Sequence, residues 1–302
     1  SIIQWHKTRL HQELSFEEIV PVASVLGGVS MAIQAFTEKG DSILISAPGY
    51  HAFENAVNHN ERTLVPSPLK RSGDFWYMDF ELMEKQMSEE RVTMFILCSP
   101  HNPTGRIWSR EELSQLIDLC FRYQVYLLSD EIHADLALFG HRHTVMASVS
   151  EEIAARTLTA MAPSKTFNIA GMMNSVIIAS NPEILEVYNR ELTTLHLDLG
   201  NIFGHVTLKA AYRYGAGWLE ELTRYLEGNV QFALDYFERE LPQIKVLKPE
   251  GSFLLWLDFR GTGLSHEACG ERLVKIGKVG LNDGLEFGEE GRGFRRMNIG
   301  CP

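Results

Sequence analysis

TMFILCSPHNPTG (residues 93–105) is the stretch that decides the fold, because a mostly apolar run ends abruptly in polar and turn-forming residues. Two more stretches have the same form, VYLLSDEIH (residues 125–133) and TLTAMAPSKT (residues 157–166). Consecutive apolar positions, rather than alternating ones, are typical of strands buried on both faces of a parallel sheet. We therefore predict a parallel sheet whose strands run into polar residues at their carboxyl ends.

Further strands and helices extend this pattern along the chain. SILISA (residues 42–47) and SVIIA (residues 175–179) predict two more buried strands. Between strands, SREELSQLIDLCFRY (residues 109–123) predicts a helix that opens with a capping box of Ser109 and Glu112. Strands that alternate with helices predict an α/β fold with a mostly parallel central sheet and helices on both faces.

The pattern changes after residue 179. Residues 182–241 are mainly helical in pattern, with a long amphipathic run at 218–241, and strands are predicted at 245–247, 253–258 and 294–299. A chain of 302 residues exceeds what one compact core usually contains. We predict a large domain over residues 1–215 and a smaller C-terminal α+β domain over residues 216–302.

Composition excludes several classes of function. The net charge of −11 makes nucleic acid an unsuitable partner, since phosphate binding needs a basic face. No apolar segment is long enough to span a bilayer, so a membrane protein is not expected. The four cysteines show no CxxC spacing, which predicts neither a metal site nor a redox dithiol but buried, reduced thiols of a cytoplasmic protein; they are Cys98, Cys120, Cys269 and Cys301.

The polar residues at the sheet edge form a chemically coherent set. Asn102, Asp130 and Lys165 each follow a predicted strand, and the pair Gly27–Gly28 reads as a turn that opens a helix at 31–37. Ligands bind outside the carboxyl ends of strands in such sheets. A lysine can form a Schiff base with an aldehyde, a carboxylate can pair with a protonated pyridine nitrogen, and a helix start can take a phosphate. Each residue alone has an ordinary structural explanation, but the set predicts an aldehyde cofactor with a pyridine ring and a phosphate.

These motifs resemble those of a known family. SPHNPTG (99–105), SDEIHADL (129–136), PSKTFNIAG (163–171) and FRRMNIGCP (294–302) resemble the class I/II aminotransferase superfamily of fold-type I pyridoxal 5′-phosphate (PLP) enzymes. The closer match is to its MalY/PatB-like cystathionine β-lyase (C–S lyase) branch, and it covers essentially the whole chain. The resemblance implies the PLP-dependent transferase fold type I and a homodimer with active sites at the subunit interface.

The resemblance also implies roles for the edge residues. Lys165 would hold PLP as a Schiff base and move the substrate Cα proton, Asp130 would face the pyridine nitrogen, and Asn102 would face the ring hydroxyl. His133 stands where ordinary aminotransferases carry a tyrosine that contacts this hydroxyl. For His133, a purely structural hydrogen bond is an equal alternative.

Other positions would contact the ring face and the phosphate. Tyr50 stands where the family stacks an aromatic side chain on the cofactor, although the residues alone favour a loop tyrosine. Gly28, Val29 and Ser164 are the candidates for holding the phosphate.

Two departures favour the lyase branch over ordinary aminotransferases. The latter carry an arginine eight positions after the lysine, where this chain has Met173, and often a serine three positions before it, where this chain has Ala162. Both differences weaken charge pairing with the phosphate.

Both ends of the sequence look cut. Family members carry an arginine directly after the NxGCP segment that grips the substrate carboxylate, and an N-terminal tyrosine that reaches the neighbouring subunit's phosphate. We expect both groups to lie beyond Ser1 and Pro302.

The resemblance implies an enzyme acting on a small amino-acid substrate. The expected activity is PLP-dependent cleavage of cystathionine or related cysteine S-conjugates to a thiol, pyruvate and ammonia. Two alternatives stay open: a PLP-dependent aminotransferase of a neutral or aromatic amino acid, and a PLP-binding protein that regulates a partner.

Overall fold

A computed structural model of the chain describes residues 1–73 and 75–301, so Pro302 of the FRRMNIGCP motif lies outside the described residues. The described part of the chain contains a seven-stranded sheet, a four-stranded sheet and a two-stranded hairpin. Helices pack on both faces of the larger sheet. In the same residues, no helix has the length and apolar character needed to cross a membrane.

The central sheet has the order β1-β9-β8-β7-β6-β2-β3. Strands β3, β2, β6, β7 and β8 are parallel neighbours, whereas β9 runs antiparallel to both β8 and β1. The predicted mostly parallel sheet is confirmed. Its strands are β1 (Ile19–Val22), β2 (Ser42–Ala47), β3 (Thr63–Pro68), β6 (Val92–Cys98), β7 (Tyr126–Asp130), β8 (Thr157–Met161) and β9 (Ser175–Ile178), with the hairpin β4 (Lys70–Ser72) and β5 (Phe75–Tyr77) beside it.

The helices begin where the sequence offers caps. The Ser109 side chain accepts from the Glu112 N–H and the Glu112 carboxylate accepts from the Ser109 N–H, so the predicted capping box is present. Asn181 caps the helix that starts with Pro182, a residue suited to the first helical turn. The helices are α1 (Ile2–Trp5), α2 (Val25–Phe36), α3 (His51–His59), α4 (Phe80–Glu89), α5 (Arg110–Arg122), α6 (Glu151–Ala154), α7 (Pro182–Thr194), α8 (Ile202–Tyr214), α9 (Ala216–Glu240) and α10 (His266–Glu271).

The strands separate two apolar layers by simple alternation. On β2, Ile43 and Ile45 belong to the core beneath α2, α3 and α7, whereas Leu44 faces the core beneath α4 and α5. Strand β6 alternates in the same way, with Ile96 on the first side and Leu97 on the second. Because successive side chains point to opposite faces, a strand covered on both sides needs a continuous apolar run.

Helix α2 starts earlier than the sequence predicted. Ser24 is its N-cap, so Gly27 and Gly28 lie inside the first turns rather than in a turn that precedes the helix. A Cβ on Gly28 would lie 2.9 Å from Ile177 Cδ1 on β9. The absence of a side chain at Gly28 therefore allows close helix–sheet packing.

A second, antiparallel sheet has the order β10-β11-β13-β12. The predicted strands there are present with boundaries shifted by one residue at most: β10 (Lys245–Leu247), β11 (Leu254–Asp258) and β13 (Phe294–Asn298), with the short β12 (Asn282–Asp283) added. Trp256 and Phe294 stack with ring centroids 5.2 Å apart and join the core beneath α4 and α5. We propose the domain boundary at Gly215, directly before the long helix α9.

PEGSF (residues 249–253) connects the second sheet to the loops after β6 and β7. The N–H groups of Glu250 and Gly251 both donate to the Gly105 carbonyl at 2.9 Å. The Leu138 N–H donates to the Glu250 carbonyl, and the Ser252 N–H donates to the Leu136 carbonyl. The HNPTG and DEIHADL loops are therefore held by the segment that leads into the second sheet.

Gly105 offers a test of this junction. Its φ of +72° is left-handed, and a Cβ would lie 2.5 Å from Pro249 Cβ. We expect Gly105→Ala to lower the free energy of unfolding by about 3 kcal/mol, from backbone strain plus overpacking. Urea denaturation followed by tryptophan fluorescence measures the change.

Gly140→Ala is the matched control, because Gly140 has a φ of +77° with nothing within 4 Å of the added Cβ. It should lose only about 1 kcal/mol, the cost of the left-handed backbone. Equal losses in the two variants would show that the contact with Pro249 is unimportant.

Candidate active site

A cavity of about 360 Å³ lies at the carboxyl edge of the central sheet. Parallel strands bring their carboxyl ends to one edge, so residues distant in sequence meet there. Six of the eight predicted site residues line this cavity: Tyr50, Asn102, Asp130, His133, Ser164 and Lys165. Asp130 is the last residue of β7, Asn102 follows β6, and Lys165 follows β8 by four residues.

Asp130 is a buried carboxylate, only 4% exposed. Burial raises the pKa of Asp130 to about 7, although the Ile132 N–H, which donates to Oδ1 at 3.0 Å, and the charge of Lys165 favour ionisation. In the described residues no cationic side chain forms an ion pair with it. A cationic group entering the cavity would therefore stabilise this carboxylate.

Lys165 lies in a turn that is held in place by hydrogen bonds to Asp135 and to the Pro163 carbonyl. The Thr166 hydroxyl donates to Asp135 Oδ2 at 3.0 Å, and Trp5 Nε1 donates to Asp135 Oδ1 at 2.8 Å. The Phe167 N–H closes the turn onto the Pro163 carbonyl at 2.9 Å. The Lys165 amine itself lines the cavity and has no hydrogen bond or ion pair to any residue that the structure describes.

Arg296 is a cavity residue that the sequence analysis missed. It donates from one nitrogen to Asn102 Oδ1 at 2.9 Å and from another to Asn282 Oδ1 at 2.8 Å. Its Nε is buried without a partner in the described part of the chain. Burial lowers the pKa of Arg296, against the favourable effects of Tyr50 and Glu286.

A signal for Arg296 was present in the motif FRRMN. Residues two apart on a strand share a face, and Arg296 and Asn298 on β13 both line the cavity. The neighbouring Arg295 points the other way, to Asp283 and the His266 ring. The motif alone did not tell which arginine faces the site.

His133 is held by Ser252 and Phe253 of the PEGSF segment. Its Nδ1 lies 3.2 Å from the Ser252 hydroxyl, and the Phe253 ring packs edge-on against it with centroids 5.4 Å apart. Burial, with the nearby charges of Lys165 and Arg296, lowers the pKa of His133 to about 3. His133 is therefore neutral, and the structural hydrogen bond left open by the sequence is present.

Gly28 and Val29, the other two residues predicted for the site, are not among the residues that line the cavity. The Gly28 N–H already donates to the Ser24 carbonyl at 2.9 Å, and the Val29 side chain is fully buried in the core. The cavity is lined one turn earlier, by Ser24, Val25 and Leu26. The N–H groups of Val25 and Leu26, in the first turn of α2, have no acceptor among the described residues.

The structure also shows where Tyr50, Met173 and Ala162 lie relative to the cavity. The Tyr50 ring lines the cavity directly before α3, in edge contact with His51 and Phe53. Burial raises the pKa of the Tyr50 hydroxyl, with a smaller effect from Asp130. Met173 lines the cavity and adds no charge, whereas Ala162 is buried.

Comparison with known proteins identifies the class. The chain belongs to the family described as aminotransferase class I and II, whose model matches residues 1–301. The resemblance inferred from the motifs is confirmed.

Particular relatives narrow the comparison. Cystathionine beta-lyase PatB of Bacillus subtilis (strain 168) is 42% identical over 301 residues, which is 100% of this chain and 78% of the relative. Protein MalY of Escherichia coli (strain K12) is 32% identical over 303 residues, 100% of this chain and 77% of the relative.

Solved structures agree with this placement. Cystalysin from Treponema denticola, whose crystal structure contains a pyridoxal 5′-phosphate cofactor, matches with a TM-score of 0.97 and 34% identity, covering 100% of this chain and 76% of that one. The PLP-bound C-S lyase from Staphylococcus hominis matches with a TM-score of 0.93 and 32% identity, with 100% and 76% coverage. The predicted fold type is confirmed.

The raised pKa of Asp130 has a consequence for stability in the absence of cofactor. A carboxyl that binds its proton more tightly when folded makes the free energy of unfolding fall as pH rises from about 4, its unfolded pKa, to about 7. Asp130→Asn removes this effect while keeping an acceptor for the Ile132 N–H. We expect the stability of Asp130→Asn relative to the unmodified protein to increase by about 2 kcal/mol between pH 5 and pH 8.

Urea denaturation at several pH values measures this difference. Asp118→Asn, at an exposed carboxylate on α5, is the control and should show no such trend. A constant difference between Asp130→Asn and the unmodified protein from pH 5 to pH 8 would contradict the assignment.

Proposed function

We propose that this chain is a PLP-dependent C–S β-lyase that cleaves cystathionine or a related cysteine S-conjugate to a thiol, pyruvate and ammonia. The observation that carries the proposal is the cavity in which an unpaired Lys165 amine and a buried Asp130 carboxylate meet. The similarity to proteins described as cystathionine beta-lyase PatB and C-S lyase supports the lyase activity.

The residues present fit PLP. A cavity of about 360 Å³ is within the size range of small-ligand sites. Asp130 lacks a cationic partner, which a protonated pyridine nitrogen would supply. The free N–H groups of Val25 and Leu26, with Ser164, are suited to a phosphate, and they replace Gly28 and Val29 in our assignment.

Within this site each side chain has a proposed task. PLP, when bound, supplies an electron sink that stabilises negative charge at the substrate Cα. The Lys165 amine would hold the cofactor covalently, and the same amine would take up the substrate Cα proton. Asp130 would stabilise positive charge on the pyridine nitrogen, and Tyr50 would pack against the ring.

Asn102 and Arg296 act as a pair. Because Asn102 Oδ1 accepts from Arg296, the Asn102 amide N–H₂ is free to donate to the ring hydroxyl. Arg296 has an unpartnered Nε and a planar guanidinium suited to a carboxylate. We assign to Arg296 the substrate α-carboxylate, a role that the sequence analysis placed beyond Pro302.

The aminotransferase alternative differs in one step. Both reactions share Cα proton removal, and they diverge over whether the β-thiolate leaves or the proton returns to the cofactor. Pyruvate formed in stoichiometric amount without a keto acid would identify the lyase. The regulatory alternative would gain support if Lys165→Ala kept the protein's biological effect.

We also propose a homodimer, in the cytoplasm. Met173 lines the cavity and is half exposed. The start of α8 lies next to it, because the Asn201 side chain donates a hydrogen bond to the Met172 carbonyl. Leu199, Ile202 and Phe203 in this region are each more than 70% exposed. A large apolar surface beside a site is typical of a protein interface. Analytical ultracentrifugation would measure the assembly.

Lys165→Ala tests the proposed activity. We expect pyruvate release from L-cystathionine, without keto acid, to fall at least about 1000-fold, since the variant lacks both the covalent link and the general base. A lactate dehydrogenase assay measures it. Lys275→Ala is the control, because Lys275 is exposed and forms a surface ion pair with Glu271. Pyruvate production that depends on added keto acid would instead identify an aminotransferase.

Arg296→Gln tests the carboxylate assignment. Loss of a charge-assisted pair should lower kcat/KM for L-cystathionine about 100-fold, mainly through KM. Arg292→Gln, which removes an exposed arginine paired with Glu289, should leave both constants unchanged. An unaltered KM in Arg296→Gln would assign the carboxylate to another cation.

A further inference from the structure

Ser252 has a backbone conformation that its side chain disfavours. Its φ is +75°, and the residue is only 1% exposed. The left-handed region is open to glycine, and a residue with a Cβ adopts it at a cost in energy. A serine at such a position, directly after Gly251, raises the question of what its hydroxyl contacts.

The hydroxyl meets one buried group of the active site. Ser252 Oγ lies 3.2 Å from His133 Nδ1, and the Phe253 ring holds the imidazole from the side. The other ring nitrogen, Nε2, has no partner among residues 1–73 and 75–301, and His133 lines the cavity. Nε2 is therefore the nitrogen left to contact a bound molecule.

The direction of this hydrogen bond follows from the need of the buried Ser252 O–H for an acceptor. If Nδ1–H donated to Oγ, the buried Ser252 O–H would have no acceptor in the described part of the chain. An unmade hydrogen bond from a buried donor is costly, whereas an unused lone pair on a hydroxyl costs less. The Ser252 O–H therefore donates to Nδ1, and in the neutral ring the proton is on Nε2.

We propose that Ser252 is a positioning residue that fixes His133 in its Nε2–H tautomer, so that the second domain provides the cavity with one N–H donor. The tautomer follows from the protein alone. Its use toward the cofactor, as a donor to an oxygen on the PLP ring, rests on the proposed function.

The donor depends on how the segment 249–253 is docked. The Ser252 N–H donates to the Leu136 carbonyl at 2.8 Å, three residues beyond His133. The Gly251 N–H donates to the Gly105 carbonyl, three residues beyond Asn102. The same few hydrogen bonds therefore place Ser252 against both loops that carry ring-facing side chains.

Two substitutions separate the hydroxyl from the backbone conformation. Ser252→Gly removes the hydroxyl and relieves the strain, whereas Ser252→Ala removes the hydroxyl and keeps the strain. The first variant should therefore be at least as stable as the second, which thermal denaturation checks. If only the turn mattered, Ser252→Gly would behave as the unmodified protein.

Nitrogen-15 NMR of histidine-labelled protein without cofactor reports the tautomer, with His133→Asn used to assign the signal. We expect Nε2 protonated in the unmodified chain and a shift toward the Nδ1–H form in both Ser252 variants. In parallel, the dissociation constant for PLP, measured by fluorescence, should rise about fivefold in both, the effect of weakening one ordinary hydrogen bond.

Two results would overturn the proposal: a proton on Nδ1 in the unmodified protein, or a Ser252→Gly variant with the unmodified tautomer and affinity. Failure of the unmodified protein to bind PLP would refute the proposed function instead, and the NMR result would still decide the role of Ser252.

Discussion

The burial of one carboxylate constrains the whole site. Asp130 ends β7 in the middle of the central sheet, where apolar strands on both sides remove it from water. Removing a carboxylate from water is costly unless hydrogen bonds or an opposite charge compensate. The chain supplies the Ile132 N–H and leaves a cavity in front of Asp130. Without a cation the carboxyl holds its proton up to a pKa of about 7, and a bound cation would stabilise the ionised form, as the protonated ring of PLP would in the proposed assignment.

Much of the large sheet could be predicted from local sequence, since β2, β6, β7, β8 and β9 are continuous apolar runs. The edge strands were missed for a physical reason. β1 (Ile19–Val22) and β3 (Thr63–Pro68) are covered less completely and contain proline, so their sequences alternate and resemble loops. The glycine pair at 27–28 was read as a turn, although the missing side chain at Gly28 serves packing against Ile177.

The site residues also divide into those that could be predicted from the sequence and those that could not. Asn102, Asp130 and Lys165 could be placed because each follows its own strand, and the topology of a parallel sheet brings strand ends together. Arg296 and Ser252 could not, because Arg296 comes from the second sheet and Ser252 from the segment that precedes β11. Their approach to the cavity depends on contacts between residues more than 100 positions apart. Periodicity records which face of its own element a residue occupies, and it does not record what that face meets.

The junction at residues 249–253 also limits which segments related proteins can exchange by recombination. The Gly105 carbonyl receives two N–H donors from Glu250 and Gly251, and the buried Arg106 pairs with Glu250 at 2.7 Å. A chimera that took its two sheets from different relatives would combine the HNPTG and DEIHADL loops of one protein with the PEGSF segment of another. A single mismatch at PEGSF would remove one of the two carboxylates that pair with the buried Arg106, since only Glu112 would remain, and it would disturb the contact of Ser252 with His133 beside the cavity. Recombination within the family should therefore preserve the HNPTG loop, the DEIHADL loop and PEGSF as one inherited unit, although 144 positions separate Arg106 from Glu250.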